Sequence, residues 1–281
     1  MSIRPYIELM RLNRPIGIFL LLWPVLSGLW LAAGGLPAPK LLIIFTLGVI
    51  FMRSAGCIIN DVADQKFDKH VARTKQRPLV SGRLTQKKAL VAFALLCLIS
   101  LALVIQLNWQ TVGLAVLALV LSSLYPFMKR FTHFPQVILG VAWYIGILMS
   151  FTATIGSITL TGWLLYLTGI IWTVAYDTMY AMVDREDDIK IGVKSMAIFL
   201  GHFDKLAIAI CQFIILLLLV VIGYLNSLIW PYYVGVGATA LFFVYQQYLI
   251  KNRLPARCLD AFINNHWVGM SIFLGVFFSF W

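Results

Sequence analysis

Asp61, Asp64 and Asp68 follow one another at steps of three and four residues, at the close of an apolar run from Leu41 to Ile59. On a helix that spacing puts all three carboxylates on one face. Like charges so placed repel, and near a bilayer each costs more than it would in water. A hard cation such as Mg2+ removes both penalties, and an oxygen-rich face suits it. Asp177, Asp184 and Asp188 repeat the device at the end of a second apolar run, Trp163 to Val183, with Tyr180 one turn beyond Asp177. The chain has eleven Asp and Glu, and only Glu8, Asp204 and Asp260 lie outside these two neighbourhoods. A solvated juxtamembrane turn would account for one cluster but not for two. Two carboxylate faces describe a metal-dependent anion site.

The cations beside them narrow the anion. Lys69, Arg73, Lys75, Arg77 and Arg83 follow the first cluster, and Lys190 and Lys194 follow the second. Carboxylates, metal and several guanidinium or ammonium groups fit a polyanion bridged by Mg2+, and a diphosphate has the oxygens to do both jobs. For Lys75, Lys87 and Lys88 a purely topological role explains the charge equally well. No G-x-x-x-x-G-K-[ST] or G-x-G-x-x-G stretch offers a rival phosphate site. His70 and His133 stand alone, without ligand spacing. Cys57, Cys97, Cys211 and Cys258 form no C-x-x-C pair and read as small buried hydrophobes.

The elements that must position these groups are membrane helices. The 281 residues are 61% hydrophobic and 12% charged, against about 25% charged in a soluble domain. Apolar segments fall near 16–34, 41–60, 89–107, 111–128, 136–154, 162–183, 205–224, 228–250 and 264–281. Each approaches the roughly 20 residues a span needs. The expected fold is all-α: a multi-pass bundle of about nine transmembrane helices around a central cavity open to the cytoplasmic side. The thinnest separation is Gln106-Leu-Asn-Trp-Gln110, between the third and fourth segments.

Basic residues crowd the loops after the even-numbered segments, while the other loops hold Lys40 alone. Arg4, Arg11 and Arg14 precede the first segment. The positive-inside rule then places the N-terminus and both acidic motifs in the cytoplasm. Trp30, Trp109, Trp163, Trp230 and Trp281 fall near the opposite ends, as an interfacial belt would. The net charge of +11 is thus topological and calls for no nucleic acid. The first apolar segment is long and leads into further spans, so it is expected to remain as a helix rather than a cleaved signal. The short N-terminal extension favours a bacterial inner (plasma) membrane. Residues 1–281 read as one domain, and the two acidic motifs hint at a diverged internal duplication.

Together these motifs resemble a known family. Asn60-Asp61-x-x-Asp64-x-x-x-Asp68 with Arg73-Thr-x-x-Arg77-Pro78-Leu-x-Ser81-Gly82 is similar to the first signature of the UbiA-type intramembrane aromatic prenyltransferases. Tyr176-Asp177-Thr-x-Tyr180-Ala181-x-x-Asp184-Arg-x-x-Asp188 with Lys190-x-Gly192-x-Lys194-Ser195 is similar to the second. Tyr125-Pro126-x-x-Lys129-Arg130 resembles a third element, and Asn13-Arg14-Pro15-Ile16-Gly17 resembles the opening of the 4-hydroxybenzoate branch. That branch is expected to have Asp-Lys before Pro-Ile-Gly. Here the charge at 14 is kept and the carboxylate at 13 is lost.

The resemblance implies transfer of a polyprenyl group from polyprenyl diphosphate to the ring carbon ortho to the phenol of 4-hydroxybenzoate, an early membrane step towards ubiquinone. It implies Mg2+ held by Asn60, Asp61, Asp64, Asp68, Asp184 and Asp188 against the leaving diphosphate. It casts Arg73, Arg77, Lys190 and Lys194 as diphosphate partners, with Arg14, Arg130 and Asp177 as further substrate contacts. Tyr125 and Tyr180 could face the allylic cation, or simply pack at the interface. The lipid bilayer would hold the prenyl tail, and no protein partner is implied. A naphthoate, homogentisate or haem acceptor stays open within the family, and a cation-coupled membrane transporter outside it.

Overall fold

The computed structural model describes residues 3–69 and 73–281, apart from the side chain of Phe67, and among these every regular element is helical. His70 lies outside the described residues. A short α1 (Arg4–Leu9) precedes α2 (Ile16–Ala33), α3 (Pro39–Asp68), α4 (Gln86–Val104) and α5 (Trp109–Met128). Then come α6 (Pro135–Trp143), α7 (Ile145–Ile155), α8 (Leu160–Ile191), α9 (Met196–Leu200), α10 (Asp204–Leu225), α11 (Trp230–Ile250) and α12 (Pro255–Ser279).

Local chemistry sets the boundaries. Thr85, Asn108 and Thr159 each accept a hydrogen bond from a first-turn backbone N–H, of Lys88, Thr111 and Gly162 respectively, and so cap α4, α5 and α8. The Asn108 cap makes the thin Gln106–Gln110 break a true separation. Proline at the first or second position opens α6, α11 and α12. Pro255 starts α12 nine residues before the apolar segment expected at 264, because Arg257 and Asp260 in its opening turns interrupt the apolar run without interrupting the helix. The segment expected at 136–154 is divided into α6 and α7 at Tyr144, whose buried hydroxyl donates to the Leu20 carbonyl at 3.2 Å. Just before the break, Gly140 lies against α8 so closely that a Cβ there would sit 2.9 Å from the Ile170 Cα.

Among the described residues seven stretches are long and apolar enough to cross a membrane: Ile16–Ala33, Pro39–Lys66, Gln86–Val104, Trp109–Met128, Pro135–Ile155, Met196–Leu225 and Pro255–Ser279. The protein is an integral membrane protein. The segments expected at 162–183 and 228–250 are also helical, as α8 and α11. Their Thr, Tyr, Trp and Gly content lowers their hydropathy, and they are not among the seven.

α2 is the hub, packed on α3, α7, α8 and α12. Leu20, Val25 and Leu29 of α2 share one apolar core with Tyr144, Trp172, Tyr176, Val268 and Ile272. From α2 the bundle runs round through α3, α5, α6 and α8 to α10, α11 and α12, which returns to α2. Leu98, Phe213, Leu241 and Val244 point outward and exposed, as lipid-facing side chains must. Trp109, Trp163, Trp230 and Trp281 are exposed as an interfacial belt requires, but Trp30 is not. It is 5% exposed and packs edge-on against Phe273, which corrects its expected place.

Candidate active site

α3 and α8 are long, 30 and 32 residues, because each carries its apolar span straight on through its acidic motif without a break. Their carboxylates therefore ride on rigid helix ends. Between these helices lies a cavity of about 1420 Å3, walled also by α2, α4, α5, α7 and α12. Exposed Arg4, Arg14, Lys75 and Arg83 ring its mouth at the acidic end. Leu21, Val25, Ile44, Val49, Leu107 and Met149 line its inner, apolar part.

At the mouth the acids and cations expected from sequence are brought together. Arg77 Nη1 donates to Asp61 at 3.0 Å and to Asp68 at 2.6 Å, and Arg11 Nη2 donates to Asp61 at 2.8 Å. Arg73 forks onto Asp184 at 3.1 and 2.5 Å, which links the first motif's loop to the second motif. The same guanidinium lies 4.7 Å over the Tyr180 ring. Lys129 is paired with Asp64. Burial disfavours the Arg77 cation, but Asp61 and Asp68 hold its pKa above the ordinary arginine value. Burial acts likewise on Arg73, and Tyr180 and Asp184 outweigh it.

Of the other expected residues, Asn60, Tyr125, Tyr180, Asp177 and Arg14 line the cavity. Asp184 and Asp68 are reached through Arg73 and Arg77, which do line it. Asp188 is half-buried, one turn beyond Asp184 on α8. Three expected substrate contacts are engaged elsewhere. Arg130 donates to the Ala63 carbonyl at 2.9 Å, Lys194 donates to the Phe131 carbonyl at 3.2 Å, and Lys190 pairs with Asp187 at 3.5 Å. None of the three lines the cavity.

Among the described residues no three His, Cys, Asp or Glu side chains converge on one point. Mg2+ does not require that, because it commonly takes one or two carboxylates plus water and substrate phosphate oxygens. Asp64 has a buried Oδ1 without a hydrogen-bond partner among the described residues, a hard donor left over once Lys129 has taken Oδ2. The donor set fits such an ion.

Residues 21–275 match the model of the UbiA prenyltransferase family. This chain belongs to that family. It is 55% identical over 273 residues to a 4-hydroxybenzoate octaprenyltransferase of Tolumonas auensis, covering 97% of this chain and 96% of the relative. It is 52% identical over 270 residues to one of Pseudomonas aeruginosa, covering 96% of this chain and 91% of that one. The fold matches an apo UbiA homolog from Aeropyrum pernix K1 with TM-score 0.82 at 24% identity, over 92% of this chain and 96% of the other. It also matches a UbiA homolog from Archaeoglobus fulgidus bound to GPP and Mg2+, with TM-score 0.72 at 17% identity, over 96% of this chain and 99% of that one.

Within this UbiA fold the structure gives a place to residues that had no site role from sequence. Lys129, quoted only as part of the third motif, and Arg11 pair with the first acidic motif. Arg53 is the more telling case. It lines the cavity from mid-α3, lies 4.7 Å over the Trp143 ring and donates to Cys57 Sγ at 2.5 Å. Its Nε is buried without a hydrogen-bond partner among the described residues. A lone charge inside an apolar span is by default functional, and that was the signal in the sequence. Gly17 makes the space: a Cβ there would lie 2.7 Å from the Arg53 Cζ.

Proposed function

We propose that this chain transfers a polyprenyl group from polyprenyl diphosphate to the ring carbon ortho to the phenol of 4-hydroxybenzoate. The observation that carries this reading is one continuous cavity with two different ends. An acid-and-base rim at its mouth suits a diphosphate, a second cation with a spare donor lies deeper, and apolar walls suit a tail. The names of relatives above 50% identity over nearly the full chain support the same acceptor.

In this reading Asn60, Asp61, Asp64, Asp68, Asp184 and Asp188 hold Mg2+, which supplies Lewis-acid stabilisation of the leaving diphosphate. Arg73 and Arg77 already lie among these carboxylates and turn towards the diphosphate oxygens, sharing its growing charge. Lys190, Lys194 and Arg130 act at a distance from the cavity wall, steadying the loops that bear the rim. Tyr125 and Tyr180 present ring faces to the allylic cation. Arg53 takes the acceptor carboxylate through its free Nε–H, in preference to Arg14 at the mouth. The apolar walls exclude the water that would quench the cation. A prenyl tail gains about 0.8 kcal/mol per CH2 buried in lipid, so the bilayer is where the donor resides.

We further infer that the acidic rim faces the cytoplasm of a bacterial inner membrane and that the product feeds ubiquinone synthesis. α8 and α11, 32 and 21 residues long, are also spans in this reading, which gives nine crossings. Residues 1–281 form one domain, and the shared design of α3 and α8 supports a diverged duplication.

The test uses membranes bearing the protein, labelled polyprenyl diphosphate and 4-hydroxybenzoate, with Mg2+ or with EDTA. Lipid-soluble labelled product that requires both acceptor and Mg2+ is expected. Product only with a naphthoate or homogentisate would move the acceptor, and no transfer to any acceptor would overturn the reading.

A further inference from the structure

Among the described residues three carboxylates line the cavity: Glu8, Asp61 and Asp177. Glu8 is paired with Arg83 and Arg4, and Asp61 with Arg77 and Arg11. Asp177 forms no hydrogen bond or ion pair among the described residues, although it is half-buried and the charges of Arg53 and Lys129 reach it. An unpartnered carboxylate in an apolar wall is costly, and a ligand that donates to it would remove the cost.

Its level in the cavity is informative. Asp177 lies seven residues, about 10 Å, below Asp184 along α8. Cys57 lies the same seven residues below Asp64 on α3, and Cys57 Sγ is where the Arg53 guanidinium is bonded. The cation of Arg53 and the anion of Asp177 thus stand at similar depth beneath the rim, on helices facing across the cavity. They do not pair. A gap with a guanidinium on one side and a free carboxylate on the other fits a flat molecule with a carboxylate at one end and an acidic O–H at the other.

Resting on the acceptor reading above, we propose that Asp177 is the catalytic base for the acceptor phenol. With the acceptor carboxylate on Arg53, the phenol in the para position points towards Asp177. The phenol proton passes to the Asp177 carboxylate, and the released electron density drives the ortho carbon onto the allylic carbon. The C–O bond to diphosphate breaks first, its electron pair leaving with diphosphate, and the ortho carbon then forms the new C–C bond to the allylic cation. The tetrahedral ring carbon then gives its proton to the diphosphate, the ring regains aromaticity, and Asp177 returns its proton to the oxygen. Atoms and charge balance with one proton leaving on diphosphate.

The experiment compares wild type and Asp177→Asn in membranes. Release of diphosphate from the prenyl donor without acceptor is expected to stay within threefold, because the rim is intact. Turnover with 4-hydroxybenzoate is expected to fall by roughly 100-fold or more, as for loss of a general base. The decisive readout is the ratio of turnover with 3-fluoro-4-hydroxybenzoate, whose phenol is more acidic, to turnover with the parent acceptor. That ratio should rise at least about tenfold in Asp177→Asn relative to wild type, since an acceptor that ionises unaided needs the base less. An unchanged ratio, retained turnover or lost diphosphate release would each overturn the role for Asp177. Failure of the acceptor reading itself would show separately, as absent transfer to hydroxybenzoate in wild type.

Discussion

Gly17 on α2 and Arg53 on α3 interlock: the guanidinium occupies the space a Cβ at position 17 would need, 2.7 Å from its Cζ. The turn after Arg14-Pro15 is therefore tied to the depth of the cavity. Gly17→Ala is expected to push the tip of Arg53 aside rather than unfold α2, since the atoms it meets end a flexible side chain. KM for 4-hydroxybenzoate should rise roughly tenfold, equivalent to about 1.4 kcal/mol, with KM for the prenyl donor unchanged. Steady-state kinetics with each substrate varied in turn provide the check.

Arg53→Ala removes the cation itself. A charged hydrogen bond contributes about 1.5–3 kcal/mol, so KM for the acceptor should rise roughly 10- to 100-fold. Arg53→Lys retains the charge but lacks the planar fork stacked on Trp143, and should recover only part of the loss. Equal changes in both substrate constants would place Arg53 in general packing instead.

Asp64→Ala and Asp184→Ala should each lower turnover by roughly 100- to 1,000-fold, in line with the loss of an electrostatic contact to a leaving group. Membrane insertion should persist, since both acids sit at helix ends rather than in the apolar core. Wild-type activity should vanish in EDTA and return on adding excess Mg2+. Turnover assays combined with detergent gel filtration separate lost chemistry from lost folding.

A different acid should govern stability. Asp204 is fully buried at the start of α10 and accepts from Arg253 at 2.6 Å and from Arg185 at 3.2 Å, joining α8 to the loop before α12. Asp204→Ala leaves two guanidinium groups without their anion and should cost about 3 kcal/mol, the low end for a broken buried pair because both arginines are partly exposed. Arg257→Ala, which removes an exposed pair to Asp260 at 3.8 Å, should change stability by less than about 0.5 kcal/mol. Thermal unfolding in detergent measures both.

Much of the site was legible in the chain because its signals are local. Helical spacing alone sets Asp61, Asp64 and Asp68 on one face, and the structure keeps all three on α3. Lys129 was harder. Its partner Asp64 lies 65 positions away, and an adjacent arginine carries the same charge. Trp30 was misplaced because a tryptophan near a span end looks alike whether it faces lipid or Phe273.

Sequence by itself determined the membrane class, the positions of most helices and the acidic and basic residues of the rim. These follow from hydrophobic period, capping residues and charge placement, which act over a few residues. Tertiary structure alone decided which cation meets which carboxylate, that Arg53 enters the cavity over Trp143, and that Asp177 is left without a partner. Those facts depend on how α2, α3, α5 and α8 are brought together across distances along the chain that no local pattern encodes. A helix face fixes direction, but only packing fixes what stands opposite.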